Sequence, residues 1–427
     1  MSIFLDKKDS EIDWIGLIPK DWSIKKLKEI AIAITGITYS PDDVVDNNAS
    51  NSILVLRSSN IQNSKICFED NVFVNQKISK KHKTKVGDIL ICSRNGSRHL
   101  LGKNIIIDKN GENLTFGAFT TVLRSKYNKY VQYFLSSGVF DNILNSSSST
   151  INQLTIRDLN NVEIPFPPLT QQTAIVNYLD KETSKIDKKI YVLEQKYKKL
   201  EEYKQSIIFE IVTKGLDKNV AMKDSGIEWM GEVPNHWEVK RVKEIAKWQI
   251  GFTPDTKKSE YYDGTDDWIT IRDMDGKFIK ESKNKINGSM FPKSWITPSN
   301  SLLFSFKLSI GQVAFNEKEV FTNEAICSFS PKSKVNLNYF YYSAPVFIVK
   351  NAKKNIYNAD LLNQELISSA LVLVPTKEDQ ITIANYLDIE TSKIDIKKEI
   401  IKKKIALLKE YKQTIIYEAV TGKIEIL

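Results

Sequence analysis

Residues suited to disulfides and metal sites are scarce in this 427-residue sequence. It contains three cysteines and three histidines, and the members of each set lie far apart along the chain: Cys67, Cys92, Cys327, His82, His99 and His236. This scarcity predicts no disulfide framework, a reducing compartment and no zinc site. Long apolar runs are missing as well, and the first 20 residues carry too many charges for a signal peptide. We therefore expect a cytoplasmic chain without a metal ion of its own.

Basic residues exceed acidic ones, and the excess lies in two parts of the chain. The formal net charge is +9. Residues 22–165 carry +6 (18 basic, 12 acidic), and residues 237–375 carry +4 (19 basic, 15 acidic). The stretches that follow them are close to neutral. This distribution favours two regions that bind a polyanion and neutral segments that bind proteins. A lysine-rich, solvated surface would give the same net charge without any such partner.

The dominant feature of the sequence is a long internal repeat. Residues 172–213 and 380–421 share 24 identities in 42 aligned positions, at a constant offset of 208. A match of this length indicates duplication. Both copies lack Gly and Pro and are rich in Lys, Glu, Leu and Ile, which favours one continuous helix per copy. At about 1.5 Å per residue, each helix would be roughly 60 Å long.

Apolar residues recur every seven positions in both copies, as is typical of a coiled coil. The side chains that we expect to pack between the helices are Leu179, Ile186, Leu193, Leu200, Ile207, Leu387, Ile394, Ile401, Leu408 and Ile415. A second seam includes Lys204 and Lys412, and such polar positions argue against a long homodimeric zipper. We therefore expect the two copies to pack on each other within one chain, as a spacer between two globular halves.

A second repeat opens each globular half. Residues 10–31 match residues 225–246 at an offset of 215, and each copy carries two tryptophans that we expect to anchor a turn against a core: Trp14, Trp22, Trp229 and Trp237. Short β-like runs and one helix-like stretch follow in each half, at residues 129–144 and 338–350. The predicted order is a first domain with its N-terminal lead (1–168), a helix (169–214), a linker (215–236), a second domain (237–375) and a second helix (376–427).

Two motifs suggest catalysis, and neither is complete. Gly96 to Asn104 resembles a phosphate-binding loop, but five residues separate its glycines and Asn104 stands where Ser or Thr binds magnesium, so we interpret it as a basic turn between strands. Asp255, Glu281 and Lys283 fit a loose pattern of Mg²⁺-dependent nucleases, which matches many sequences by chance. The sequence therefore favours a chain without catalytic residues, and it keeps a nuclease as the alternative.

Basic residues near glycines and turns are the best candidates for contacts with DNA, because Arg and Lys bind phosphates and guanine edges. For each of them an ordinary surface charge is the competing interpretation. The candidates in the two halves are Arg57, Arg94, Arg98, His99 and Lys103, and Lys257, Lys258, Arg272, Lys277 and Lys307.

Over nearly its whole length, the chain resembles the specificity subunit of type I restriction–modification enzymes. The resemblance lies in the duplicated Ile-x-Trp-x-Gly-x-x-Pro-x-x-Trp openings that end at Trp22 and Trp237, and in two Asn-Tyr-Leu-Asp-x-Glu-Thr-Ser-Lys-Ile-Asp runs. Gly36, Gly251-Phe-Thr-Pro254 and the order of all these pieces add to it. In the first half, Ile37-Thr-Tyr-Ser replaces the Phe-Thr-Pro pattern.

The resemblance implies an α+β fold with two mixed α/β target recognition domains, joined by two long helices that pack as an antiparallel coiled coil in a pseudo-twofold repeat. It implies that each domain reads one half of a bipartite, asymmetric site in double-stranded DNA. The helices would set the gap between the half-sites and dock two adenine methyltransferase subunits, and translocating restriction (restriction/translocase) subunits would join for cleavage. S-adenosylmethionine, ATP and Mg²⁺ would belong to those partners. A related system with one fused cleavage and methylation partner is a second alternative.

Overall fold

A computed structural model of the chain describes residues 6–62, 65–140, 153–307, 309–330, 332–354 and 360–426. The chain divides into two compact units, Met1–Glu194 with Lys402–Leu427, and Gln195–Ile401. The described helices, in chain order, are α1 (Leu27–Ile30), α2 (Asn128–Leu135), α3 (Ile156–Asn161), α4 (Leu169–Lys214), α5 (Val242–Ile245), α6 (Leu337–Val349), α7 (Gln364–Ser369) and α8 (Lys377–Val420). None of them combines the length and the apolar character that a membrane crossing requires.

The first unit contains short strands before α4. They are β1 (Lys7–Asp9), β2 (Leu17–Pro19), β3 (Ser23–Lys26), β4 (Ile32–Thr35), β5 (Val44–Val45), β6 (Ile53–Leu56), β7 (Ile61–Gln62), β8 (Lys65–Ile66), β9 (Val72–Val74), β10 (Ile89–Cys92), β11 (Asn104–Ile106), β12 (Thr115–Phe116), β13 (Thr120–Arg124) and β14 (Glu163–Phe166). One four-stranded sheet has the order β11-β10-β13-β4, and another has the order β12-β6-β9-β5. The inner strands of the first sheet are β10 and β13, and every residue of β10 is buried.

The second unit repeats this arrangement before α8. Its strands are β15 (Met222–Asp224), β16 (Glu232–Pro234), β17 (Glu238–Arg241), β18 (Trp248–Ile250), β19 (Asp266–Ile269), β20 (Phe278–Ile279), β21 (Lys285–Ile286), β22 (Leu302–Ser305), β23 (Val313–Asn316), β24 (Phe321–Thr322), β25 (Ile326–Phe329), β26 (Lys353–Lys354), β27 (Asp360–Leu361) and β28 (Leu371–Val374). The sheet β18-β25-β22-β23-β20 corresponds to the first sheet of the other unit with one added strand, and β21-β19-β24 corresponds to the second.

Two glycines show how closely the backbone arrangement of the two units agrees. A Cβ atom on Gly36 would lie 2.2 Å from the carbonyl oxygen of Gly117, and one on Gly251 would lie 2.1 Å from that of Thr322. Real Cβ atoms do not approach a backbone oxygen so closely, so each position requires glycine. The chain passes equally close to itself at the same place in both units. The mixed α+β architecture and the internal repeat expected from the sequence are therefore present.

The stretch predicted as a linker, residues 215–236, is folded, and that expectation needs correction. Strands β15 and β16 pair in antiparallel register, and Met230, Val233 and Trp237 are buried in the core of the second unit. The stretch was interpreted as a linker because it is polar and contains three glycines. Those glycines, Gly215, Gly226 and Gly231, have positive φ angles, which other residues rarely adopt, and they serve to turn the chain.

The long helices form antiparallel pairs inside each unit. In the first unit, the Lys412 ammonium lies 2.7 Å from the Asp187 carboxylate. In the second unit, Lys204 contacts Asp395 at 2.7 Å and Lys398 contacts Glu201. The residue number on α8 rises as the residue number on α4 falls, so the two helices run antiparallel. The start of α8 is capped, because the Thr376 hydroxyl accepts a hydrogen bond from the Asp379 backbone N–H at 3.1 Å.

Candidate nucleic-acid interface

The first basic loop follows β6 and is held by a buried asparagine. Asn60 is fully buried, its Oδ1 accepts from the Arg57 backbone N–H at 2.8 Å, and its Nδ2 donates to the Cys67 carbonyl at 2.8 Å. The Arg57 guanidinium lies 2.8 Å from Asp70, and its Nε is buried without a hydrogen-bond partner among the described residues. Asn60 thus fixes the 3₁₀ turn Ser58–Asn60 and the position of Arg57.

The second basic loop, residues 93–103, joins β10 to β11. Arg94, Arg98 and His99 are exposed, and Lys103 is half-buried at the end of the turn. The Arg94 guanidinium lies 5.1 Å from the centre of the exposed Phe119 ring. The loop that resembles a phosphate-binding motif is therefore a basic turn between antiparallel strands, as the sequence interpretation proposed.

These two loops meet on one surface of the first unit. The Asn95 side chain donates a hydrogen bond to the Ser58 hydroxyl at 3.3 Å. Beside this contact lies an open cleft of about 420 Å³, lined by Ser58, Ser59, Gln62, Leu100 and Lys103. The structure therefore brings together loops that are about 40 residues apart and that carry all five basic candidates of the first half.

Two candidates of the second unit occupy the corresponding loops. Arg272 is exposed on the 3₁₀ turn Ile271–Asp273 after β19, and the Asp273 carboxylate accepts from the Thr270 backbone N–H at 2.8 Å. Asp273 therefore does for this turn what Asn60 does in the first unit. Lys307 is exposed in the loop after β22. Sequence reasoning identified the basic residues but missed Asn60 and Asp273. Their only signal is a short polar side chain four residues after the last residue of β6 or β19.

Lys257 and Lys258 belong to a different loop, beside an aromatic cluster. The Lys258 ammonium donates to the Tyr261 hydroxyl at 3.2 Å, and this bond raises the pKa of Lys258. The Phe252 ring centre lies 4.5 Å from that of Trp295, whose side chain is 44% exposed. The cluster was not recognised from the sequence because its rings lie on separate segments, although Phe252 belongs to the Gly-Phe-Thr-Pro motif.

Lys277 has a different place from that expected of a DNA contact. Its ammonium lies 2.5 Å from the Asp388 carboxylate on α8, and the Tyr342 hydroxyl donates to the same carboxylate at 2.5 Å. In the first unit, Lys129 and Tyr133 hold Asp180 on α4 in the same way, at 2.5 and 2.7 Å. Because Asp180 and Asp388 are 208 positions apart, the repeated helix motif anchors each globular body to its own helix, and Lys277 belongs to that anchor.

Most of the heptad positions named from the sequence are buried. Of the ten seam residues named from the sequence, seven are buried: Leu179, Ile186, Ile207, Leu387, Ile394, Ile401 and Ile415. Leu193, Leu200 and Leu408 are half-buried. Lys204, Lys398 and Lys412 lie in the second seam, and each has a carboxylate partner on the facing helix. These three seam lysines are therefore paired.

The described residues provide no support for the nuclease pattern. No group of three or more His, Cys, Asp or Glu side chains in them is arranged to hold a metal ion. The Asp255 carboxylate instead accepts from the Lys257 backbone N–H at 3.0 Å, and the Lys283 backbone N–H donates to Asp273 at 3.2 Å. The Asp255 carboxylate thus has a local structural role.

Comparisons with known proteins agree with this arrangement. The family described as type I restriction modification DNA specificity domain matches residues 19–213 and 234–406. The chain is 25% identical to a protein named as the MjaX type I restriction enzyme specificity subunit of Methanocaldococcus jannaschii, over 96% of each chain. It is 28% identical to the EcoKI specificity subunit of Escherichia coli, over 45% of this chain and 43% of the relative's length. A solved chain of a type I R-M system shares the fold, with a TM-score of 0.70 at 16% identity, over 95% of this chain and 99% of that one.

Proposed function

Since this chain belongs to the type I restriction–modification DNA specificity family, we propose that it is the non-catalytic DNA-recognition subunit of such a complex. Each globular body reads one half of a bipartite, asymmetric site in double-stranded DNA. The observation that carries this proposal is that the family match covers both halves of the chain, each with its own basic loops on a common frame.

The differences between the two bodies support recognition of two different half-sites. Corresponding turns follow β6 and β19, but one presents Ser58 and Ser59 where the other presents Ile271 and Arg272. Direct readout of bases depends on a few side chains in such loops, whereas the frame only positions them. The first-unit candidates are therefore Arg57, Arg94, Arg98, His99 and Lys103, and the second-unit candidates are Lys257, Lys258, Arg272 and Lys307.

The long helices set the gap between half-sites and dock two adenine methyltransferase subunits. In the first unit, the helix pair exposes large apolar side chains, with Val192, Leu407 and Tyr411 each more than half exposed. They line an apolar cleft of about 700 Å³ bordered by lysines. Contiguous exposed apolar surface of this kind is typical of a protein-binding site. Translocating restriction subunits join the assembly in the cytoplasm, and S-adenosylmethionine, ATP and Mg²⁺ act in the partners.

Mapping of adenine methylation at base resolution tests the proposal. Cells carrying this chain with its methyltransferase should show a split motif with a fixed gap, and deleting this chain should abolish methylation at that motif. Methylation that persists after the deletion would contradict the proposal. Subunits that co-purify with the chain distinguish separate methyltransferase and restriction partners from one fused partner.

The nuclease alternative makes the opposite biochemical prediction. The purified chain alone should leave duplex DNA intact in the presence of Mg²⁺. Cleavage that disappears in an Asp255→Asn or Glu281→Gln variant would instead assign the reaction to those residues.

A further inference from the structure

In each body, the turn that follows β6 or β19 faces the loop that follows β10 or β22 across a gap. At one pair of aligned positions on the two sides of this gap, the positive charge lies on one side in the first body and on the other side in the second. Strand pairing aligns Cys92 with Ser305, because the Cys92 N–H donates to the Lys103 carbonyl, and the Ser305 N–H donates to that of Gln312. Lys103 therefore corresponds to Gln312. The parallel pairs β6–β12 and β19–β24 likewise align Leu56 with Ile269. Three residues further along, Ser59 corresponds to Arg272.

At these two aligned positions each body thus has one cation, and it lies on opposite sides of the gap in the two bodies. The first body has Ser59 on its 3₁₀ turn and Lys103 on the facing loop. The second body has Arg272 on its turn and Gln312 on the facing loop. The Gln312 side chain donates to the Met274 carbonyl, so it joins the two loops as the Asn95–Ser58 bond does in the first body. The side chains differ at both positions, whereas the number of positive charges is the same.

In the first body, the gap has groups ready for an anion. Ser59 and Lys103 line the same cleft. The Ser59 hydroxyl is buried and makes no hydrogen bond within the described part of the chain. A buried hydroxyl without a partner is unfavourable, and a ligand that accepts its hydrogen bond would remove that cost. The ammonium of Lys103 forms no ion pair with any residue that the structure describes, and the other charged residues between positions 94 and 103 are basic.

We propose that this gap is a binding site for one DNA backbone phosphate in each body, with Lys103 as the cation in the first and Arg272 in the second. The Ser59 hydroxyl donates to the same phosphate in the first body. This inference rests on the proposed function and assigns these residues to positioning the bodies on DNA.

The preserved charge favours a phosphate over a base as the ligand. Two bodies that read different half-sites should differ in the residues that contact bases, because each base pair presents its own pattern of donors and acceptors. A phosphate is the same at every step of every sequence, and it requires a positive charge from either side of the gap. Lys103 in the first body and Arg272 in the second are on different loops, but both supply a positive charge to the gap, which meets that requirement.

The test moves the charge across the gap in the full chain, assembled with its methyltransferase subunits. The variants are Lys103→Gln, Lys103→Gln with Ser59→Arg, and Lys109→Gln as a control at the far end of β11. Affinity is measured on a cognate and an unrelated duplex at two salt concentrations. Lys103→Gln should weaken binding to both duplexes by the same factor. One lost phosphate contact lowers the slope of log affinity against log salt by about 0.9. The ratio of wild-type to variant affinity should therefore fall by about threefold between roughly 50 and 200 mM salt.

The double variant decides whether the site is shared by the two bodies. Ser59→Arg reproduces the second body's arrangement, so it should restore both the affinity and the salt slope that Lys103→Gln loses. Arg272→Ser with Gln312→Lys is the reciprocal exchange in the second body and should retain binding, whereas Arg272→Ser alone should lose it. Thermal melting of each variant establishes that it is folded.

Three outcomes would overturn the inference while leaving the proposed function intact. The first is a Lys103→Gln variant that binds like wild type and like Lys109→Gln. The second is a Lys103→Gln variant that changes the preferred base at one half-site position with an unchanged salt slope, which would make Lys103 a base reader. The third is a double variant that binds no better than Lys103→Gln. A wild-type assembly that does not bind duplex DNA would contradict the proposed function itself.

Discussion

The ammonium nitrogen of Lys204 lies 2.7 Å from a carboxylate oxygen of Asp395 on the facing helix. The offset of 208 converts this pair into Asp187 and Lys412, which are also 2.7 Å apart in the other unit. Each lysine side chain is about one-fifth exposed, and each aspartate side chain is about half exposed. A lysine in an apolar seam lowers stability but restricts the alignment of the helices, because only one alignment gives it a carboxylate.

Replacing both seam lysines with leucine should therefore stabilise the helix pairs and make their alignment and their choice of partner less specific. We expect Lys204→Leu with Lys412→Leu to raise the free energy of unfolding by about 1 kcal/mol, since leucine packs in the seam and the half-exposed aspartates keep their hydration. Sedimentation should also detect more self-association. Lys403→Leu, on an exposed position, is the matched control. A fall in stability would show that the ion pairs themselves hold the helices together.

The buried carboxylate of Asp267 should make the second unit sensitive to acid. Burial disfavours its charged form, but hydrogen bonds and charges from Lys285 and Lys318 outweigh this effect and lower the pKa of Asp267 below its ordinary value. Because the folded pKa is the lower one, the stabilisation is complete above about pH 4 and is lost as the pH falls through the lowered pKa. Asp267→Asn should cost about 1–2 kcal/mol at neutral pH, discounted because both lysines are partly exposed.

Denaturant unfolding at a series of pH values measures this effect. The stability of Asp267→Asn should fall less than that of wild type on acidification, so the two curves should converge at low pH. Asp275→Asn, at an exposed position, should follow wild type. Parallel curves for wild type and Asp267→Asn would assign the acid sensitivity to other groups.

An insertion in α4 should change the gap between half-sites and leave their sequences unchanged. Four residues added near Lys196 lengthen a helix by about 6 Å, since each contributes about 1.5 Å. Methylation mapping should then recover both half-sites with a larger spacing. Altered half-site sequences at the original spacing would contradict the role of the helices as a spacer.

Binding of the assembly to DNA should weaken steeply with salt. Lysine and arginine side chains release counterions when they contact phosphates, so the logarithm of affinity falls linearly with the logarithm of salt concentration. A titration from low to physiological salt with a fixed duplex measures the slope. Affinity independent of salt would exclude the basic loops as phosphate contacts.

The sequence predicted the parts of the fold that depend on local pattern. The heptad spacing identified the seam, and the repeated openings identified Trp22 and Trp237, which are both buried. It was wrong about residues 215–236, because polar composition does not distinguish a flexible linker from a strand pair held by buried Val233 and Met230.

The candidate site was predictable in its residue types and not in its partners. Lys277 and Arg272 look alike in the sequence, as basic residues near a turn. Only the folded chain shows that Lys277 lies against Asp388, 111 positions away, while Arg272 extends from an exposed turn. Long-range pairing of this kind leaves no periodic signal. The same limitation hid Asn60 and Asp273, whose importance comes from the backbone groups that they hydrogen-bond.

The crossed helix pairs also restrict how the two gene halves can diverge. In each unit, residues from one copy of the repeat contact residues from the other copy. A substitution at Asp187 affects Lys412, and a substitution at Lys204 affects Asp395, so either copy limits drift in the other. The basic loops of the globular bodies, by contrast, carry exposed side chains such as Arg94 and Arg272. Mutation can therefore rewrite the loops rapidly while the helices stay alike.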